Sequence, residues 1–466
     1  MNIKAALYYL GKINFLIIFF SLVNILYCIY FDFKINLHIY FLTLFFSIIF
    51  YLVTFKLKFN DKNYRAYDLI IFAVLGWLIL PLLTTLPFWF GNYANFLDSY
   101  FESISGFSSF GASIFSDKLN LLDPPILLWR SSTQVIGSIY FIMTIILVLG
   151  NREINIYPLK FITIKKDTLF FSKNFKNIFN NTVYAYTIIF LISLFLLNFT
   201  DLRMLDKFNL LLTIISSGGF ESTKLILSNT DKLILSFLFL LSSINIFFIL
   251  GLLKINNSYS YDEDKYFVIC FLLLFFLLLF FSQNNNIYDI LIQLSSAISN
   301  SGINFATYNE SSITFILLSA SFIGGCLVSS SSGFKITRIL IVFNKIYYEL
   351  LKLLTPSAVI NSTIFNSNEK IQSKDFYSSC LLLMFYIIIF ILFSFLLTLE
   401  NLSFEDSFLT SVLITFNTVP STLFLSKEII FSNFSNISLL FTIVILIFSK
   451  VTPLSIIAII KYKFMR

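Results

Sequence analysis

The stretch Phe101-Glu-Ser-Ile-Ser-Gly-Phe-Ser-Ser-Phe-Gly-Ala-Ser113 decides the fold, because a semi-apolar segment runs there into a turn of small hydroxyl residues and glycine. The segment leading into the turn, 98–110, is far shorter than the roughly 20 apolar residues that cross a bilayer. The same arrangement returns at 206–217, 289–301 and 406–419. Each copy opens on an aspartate, Asp98, Asp206, Asp289 or Asp406. Each closes about a dozen residues later, at Gly111, Gly218, Gly302 and the Val419-Pro420 pair. Four copies in register predict an internal repeat of span, half-helix, turn and span.

Composition supplies the surroundings for these half-helices. Of 466 residues 58% are hydrophobic and only 12% charged, with 60 Phe and a mean hydropathy of +0.86. Soluble proteins carry about 25% charged residues, so the expected fold is an all-α polytopic membrane protein. Ten spans follow from apolar length: 13–31, 38–55, 69–90, 126–150, 183–200, 233–253, 266–282, 313–345, 376–398 and 437–460. With the N-terminus inside, 23 of the 32 Lys/Arg fall on cytoplasmic segments and 8 outside. The positive-inside rule therefore puts both termini in the cytoplasm. Fifteen of the 25 acids fall outside, which would concentrate cations at that face.

Other classes lose their footing on the same residues. One histidine (His38) and four scattered cysteines (Cys28, Cys270, Cys326, Cys380) lack metal-ligand spacing, and the cysteines read as small buried hydrophobes. The net charge of +7 is explained by topology before nucleic acid. No nucleophile–base pair lies at one depth, so no enzyme and no covalent cofactor are expected. The first apolar stretch lacks an A-x-A cleavage site and reads as a retained helix.

Each aspartate reads as a helix N-cap at the positive end of the dipole. A half-helix entering from outside then points its negative end at the membrane centre. Four such ends would stabilise a desolvated cation, and irregular backbone at that depth is tolerated only where it lines a cavity. The turns read SSFG (108–111), SSGG (216–219), SNSG (299–302) and NTVP (417–420). Glycine would supply the positive φ that lets consecutive carbonyls face one axis, and a ring of carbonyls replaces the hydration shell of potassium. A second irregular stretch, Gly324-Gly-Cys-Leu-Val-Ser-Ser-Ser-Ser-Gly333, interrupts the eighth span; close helix packing is its plainer reading. Lys335 and Arg338 follow it as cytoplasmic anchors or as couplers to a gate. Lys450 lies inside the last span and is expected to face a pore, with snorkelling to the interface as the alternative.

FESISGFSSFGAS (101–113) with LLWRSSTQVIG (127–137) resembles the first pore loop and second helix of the TrkH/KtrB potassium transporter superfamily, nearer its TrkH branch. ISSGGF (215–220), FIGGCLVSSSSGFKITR (322–338), TPSAVI (355–360) and RAYDLIIFAVLGWLILPLLTTLPFW (65–89) extend the resemblance over nearly the whole chain. It implies two N-terminal helices (1–60) and four repeats around one pore, at 61–150, 151–255, 256–350 and 351–466, with pore loops 98–113, 206–220, 289–303 and 406–421. It implies a K⁺-selectivity filter of main-chain carbonyls from Ser109, Phe110 and Gly111, from Ser216, Ser217 and Gly218, from Asn300, Ser301 and Gly302, and from Thr418 and Val419. The segment Gly324, Gly325, Ser329, Ser330, Ser331, Ser332 and Gly333, with Lys335 and Arg338, would form an intramembrane gate loop. A homodimer in the inner membrane, controlled by a cytosolic TrkA/KtrA-like nucleotide-binding subunit and moving K⁺ passively or by symport, is the implied assembly. Two motifs depart from the family. Its N-N-V-G-P-G becomes Asn417-Thr-Val-Pro-Ser-Thr422, with proline in place of the glycine or the glycine deleted, and its G-R-L-E becomes Ser449-Lys-Val-Thr452. The alternative function is a degenerate, non-conducting subunit that only anchors a cytosolic regulator.

Overall fold

The structure is a computed structural model that describes residues 3–57, 66–149, 171–223, 227–252, 262–282, 286–305, 311–355, 373–425 and 427–451. The chain is an all-helical polytopic membrane protein. The N-terminal part holds α1 (Ile3–Ile13), α2 (Phe15–Tyr30) and α3 (Lys34–Phe55). The first repeat is α4 (Ala66–Phe90), α5 (Phe96–Phe107) and α6 (Pro124–Leu149). The second is α7 (Phe171–Leu197), α8 (Met204–Ile215), α9 (Asn229–Ser243) and α10 (Ile246–Leu252). The third is α11 (Asp262–Phe281), α12 (Ile287–Ile298), α13 (Ser311–Ile323) and α14 (Ile336–Leu354). The fourth is α15 (Ser373–Thr398), α16 (Phe404–Thr415) and α17 (Asn436–Lys450).

Among the described residues each of the ten expected spans holds helix, but three differ in form. The first starts earlier, since α1 and α2 make one apolar run from Ile3 to Tyr30. The sixth is broken: α9 and α10 meet at a 99° bend around Ile244 and Asn245. The eighth is two helices, α13 and α14, separated by the Gly/Ser segment. Segments 151–170, 356–372 and 452–466 lie outside the described residues, and with them TPSAVI beyond Thr355 and Thr452 of the last motif.

Side-chain burial follows from position around the axis. On α11 the residues Val268, Ile269, Leu272, Leu273, Phe276 and Phe280 are exposed at helical spacing, an apolar stripe suited to lipid. By contrast α6 is buried along its whole apolar window and carries Arg130, Ser131, Ser132, Thr133 and Gln134 inside. Polar side chains at that depth need partners; Ser131 Oγ donates to Asn209 Oδ1 of α8 at 2.8 Å, and Trp129 Nε1 donates to the Thr84 carbonyl at 3.0 Å.

The four half-helices α5, α8, α12 and α16 are each 12 residues long. Their opening aspartates are not N-caps. The caps are Asn95, Arg203, Asn286 and Ser403, and each aspartate stands three positions later, in the first turn. There it still meets the positive end of the dipole. In the fourth copy Ser403 Oγ accepts from the Asp406 amide, half of a capping box.

Candidate functional site: the four turns and the cavity beneath them

A common backbone figure ends all four half-helices. Eleven residues after each aspartate comes a non-glycine residue in the left-handed region: Ser109 (φ 57°), Ser217 (φ 51°), Asn300 (φ 64°) and Asn417 (φ 51°). Its amide donates to the carbonyl three residues back, Gly106, Ile214, Ala297 or Ile414, at 2.8–3.1 Å. This αL closure satisfies helix-end carbonyls that would otherwise be orphaned in the membrane. Serine and asparagine tolerate αL through local polar contacts, so glycine is not what turns the chain here. Among the glycines, Gly111 (φ 84°) and Gly302 (φ 67°) have positive φ, and Gly218 and Gly219 do not.

That register sets how the four turns align. Two residues after the αL position come Gly111, Gly219, Gly302 and Val419. In the second turn the match to Ser109-Phe110-Gly111 is therefore Ser217-Gly218-Gly219, one residue beyond the set Ser216, Ser217 and Gly218 read from the sequence. Gly218 instead packs on α6, where a Cβ would stand 2.3 Å from Gln134 Cδ. In the fourth turn Val419 takes the glycine position, and Pro420 lies one residue past it.

The turns converge. A Cβ on Gly111 would stand 2.3 Å from Gly219 Cα, and one on Gly302 would stand 2.8 Å from the Val419 carbonyl. A Cβ on Gly219 would meet the Ser301 carbonyl at 2.5 Å and the Phe110 carbonyl at 3.2 Å. The same point lies 2.1 Å from Val419 Cγ2, so the valine methyl reaches from the fourth turn to the second. The Phe110 and Ser301 carbonyls thus lie beside Gly219, and the Val419 carbonyl lies beside Gly302. Ser109 Oγ, Asn300 Oδ1 and Asn417 Oδ1, the αL side chains of three turns, are buried without a hydrogen-bond partner among the described residues. Asn300 Nδ2 ties the third turn to the fourth through Thr418 Oγ1 at 3.0 Å, and Ser421 Oγ donates to the Gly302 carbonyl at 2.6 Å.

An ion pair absent from the sequence reading braces the first two turns. Arg130 Nε donates to Glu102 Oε1 at 2.7 Å, with both side chains buried. Glu102 also accepts from Ser113 Oγ and the Ile114 amide just past the first turn. Arg130 donates to the Glu221 carbonyl at 3.2 Å and lies 4.2 Å over the Phe220 ring just past the second turn. Phe110 is buried with its ring edge-on to Phe431, in the connection between α16 and α17.

Beneath the turns the Gly/Ser segment 324–333 is not helical, with Gly324 (φ 66°) and Gly333 (φ 78°) in the left-handed region. Ser330 Oγ is 2.7 Å from Ser217 Oγ, so the segment touches the second turn directly. Its backbone is held by the break in the sixth span: Cys326 N donates to the Ser243 carbonyl and Ile246 N to the Val328 carbonyl, both at 2.9 Å. Glu263 accepts from Leu327 N at 2.6 Å and from Thr337 Oγ1 and Asn245 Nδ2. Asp264 accepts from the Asn245 amide and from Cys326 Sγ. Sequence reasoning missed this clamp, although acids at the head of an otherwise apolar span and the Ser-Ser-Ile-Asn run at 242–245 were its visible signs.

Lys335 and Arg338 are not anchors in water; both are buried. Lys335 (φ 76°) turns its ammonium back into the segment and donates to the Cys326 carbonyl at 3.0 Å and the Ser331 carbonyl at 2.5 Å. Lys450 is buried too and donates to Ser332 Oγ at 2.6 Å. All three cations line one cavity, together with Asn417 of the fourth turn and Tyr386 of α15.

No protein-family model matches the chain. The chain superposes on the crystal structure of the potassium transporter TrkH from Vibrio parahaemolyticus with a TM-score of 0.81, at 19% identity, over 100% of both chains. It has the TrkH fold. In sequence it is 25% identical to an uncharacterized cation transporter of Methanocaldococcus jannaschii, over 77% of this chain and 76% of that one. It is 24% identical to the Trk system potassium uptake protein TrkG of Escherichia coli K12, over 74% of each. The resemblance to the TrkH branch read from the loops and second helices is thereby borne out.

Proposed function

We propose that this chain is a K⁺ uptake pathway, with K⁺ passing through the centre where the four turns meet. The observation that carries the reading is the fourfold αL figure, with the Phe110 and Ser301 carbonyls beside Gly219 and the Val419 carbonyl beside Gly302. Desolvated potassium is held by such carbonyl dipoles. The half-helix ends behind them add negative potential, and relatives named as potassium uptake proteins support the same cargo. The filter residues on this reading are Ser109-Phe110-Gly111, Ser217-Gly218-Gly219, Asn300-Ser301-Gly302 and Asn417-Thr418-Val419. The segment 324–333 is proposed as the gate, since it lies against the second turn and is pinned by hydrogen bonds that can be exchanged. Control by a TrkA/KtrA-like subunit, a homodimeric assembly, an inner-membrane location with cytoplasmic termini, and any coupling ion belong to the same proposal.

One observation favours the second reading, a non-conducting anchor subunit. The Val419 methyl fills space at the centre that glycine leaves open in the other turns. Growth of a K⁺-uptake-deficient host at low potassium separates the two. Restored growth on expressing this chain supports conduction. Membrane insertion without growth, both with and without a co-expressed regulator, supports the anchor.

A further inference from the structure

We propose that the cavity beneath the four turns binds one small monovalent anion of the halide class, held between Arg338 and Lys450. Lys335, Arg338 and Lys450 line this cavity at 4%, 6% and 3% exposure, and no carboxylate lines it among the described residues. Buried charges of one sign are costly unless they are paired. An ionisable side chain at membrane depth therefore asks for a partner.

The three cations differ in how far they are already met. Lys335 donates to Cys326 O, Ser331 O and Ser329 Oγ, which uses its three protons, and Glu263 stands within electrostatic range behind the segment. Lys450 donates once, to Ser332 Oγ, and rests 4.4 Å over the Phe141 ring. The Arg338 guanidinium, a fork of N–H donors, makes no hydrogen bond or ion pair among the described residues; it interacts electrostatically with Tyr386. Guanidinium, ammonium and phenol all line the cavity and present protons, which favours an anion. The cavity measures about 30 Å³. That leaves room for a halide with one water.

Binding itself does not depend on the K⁺ reading, but its consequence rests on it: the anion lowers the positive potential that K⁺ meets on leaving the turns inward. The test uses the full chain purified in detergent, in gluconate buffer. Equilibrium binding of radioactive chloride should saturate at one ion per chain, and chloride and bromide should raise the thermal unfolding midpoint while phosphate does not. Arg338→Gln and Lys450→Met should each weaken chloride binding about tenfold, the worth of one lost charge-assisted hydrogen bond, and Lys12→Gln in α1 should leave it unchanged. If those variants fold poorly, bromide-soaked crystals of the unaltered chain decide, with anomalous density expected between Arg338 and Lys450. No saturable chloride binding, or density absent from that cavity, would overturn the proposal. Because no transport is measured, a chain that binds chloride yet takes up no K⁺ refutes the uptake reading alone.

Discussion

Replacing Val419 by glycine should open the centre of the pore. The Val419 Cγ2 methyl lies 2.1 Å from where a Cβ on Gly219 would stand, and the Ser301 and Phe110 carbonyls lie 2.5 and 3.2 Å from that Cβ position. A K⁺ ion taking ligands from these carbonyls has to displace the isopropyl group. Driving a side chain about 30° off its rotamer costs about 1 kcal/mol. As a barrier that is roughly a fivefold rate difference. Val419→Gly should therefore raise K⁺ or Rb⁺ flux about fivefold, and it should sharpen preference over Na⁺ as the fourth carbonyl set aligns with the others. Val419 does not hold a positive φ, so glycine there adopts the present backbone without strain. Radioactive Rb⁺ uptake into liposomes holding equal amounts of each protein, with and without competing Na⁺, measures both effects. Unchanged flux in a folded Val419→Gly protein would refute the argument that the methyl obstructs the path. Inserting glycine before Pro420, the repair suggested by the sequence alone, should instead impair flux, because it displaces Ser421 from the Gly302 carbonyl.

Arg130→Met should destabilise the chain by about 3–5 kcal/mol, because it strands Glu102 as a buried unpaired charge; the double variant with Glu102→Gln should recover much of that in thermal unfolding, and no recovery would mean the pair is not the brace described. Glu263→Gln should loosen the Gly/Ser segment by weakening its hold on Leu327 N and Thr337 Oγ1, raising Rb⁺ leak several-fold without loss of insertion; equal or lower leak counts against a gate. Gly219→Ala should abolish Rb⁺ uptake, since its Cβ would collide with the Ser301 carbonyl and Val419 Cγ2; full uptake in that variant contradicts the convergence of the turns. Single cysteines at Asn180 and Ser228 should label from opposite faces of the membrane, and labelling from the same face would overturn the proposed topology.

What could be read from the sequence was the part written in local chemistry. Asp98, Asp206, Asp289 and Asp406 stand at fixed distances from polar turns, and apolar length marks the spans, so the repeat and the class of fold were visible. Exact register was not. Glycine is conspicuous in a sequence, whereas the left-handed residue in each turn is a serine or asparagine, and only backbone angles show that Gly219 and Val419 are equivalent to Gly111. Long-range polar partners were hidden for a different reason. Nothing local to Glu263 says that it will cap the Leu327 amide 64 residues away, or that Lys450 will meet Ser332 from the far end of the chain. The Ser-Ser-Ile-Asn run at 242–245 hints at the bend, but the partners of the Ser243 carbonyl and the Ile246 amide, Cys326 and Val328, lie in the third repeat, about 80 residues away in sequence.

Rb⁺ uptake into liposomes reconstituted with the purified chain tests the central claim most directly, run beside a variant lacking several residues of 324–333. The account predicts uptake above empty liposomes, competed by K⁺ more strongly than by Na⁺, and higher in the shortened variant than in the intact chain. A folded, inserted chain that takes up no Rb⁺ in either form would contradict it.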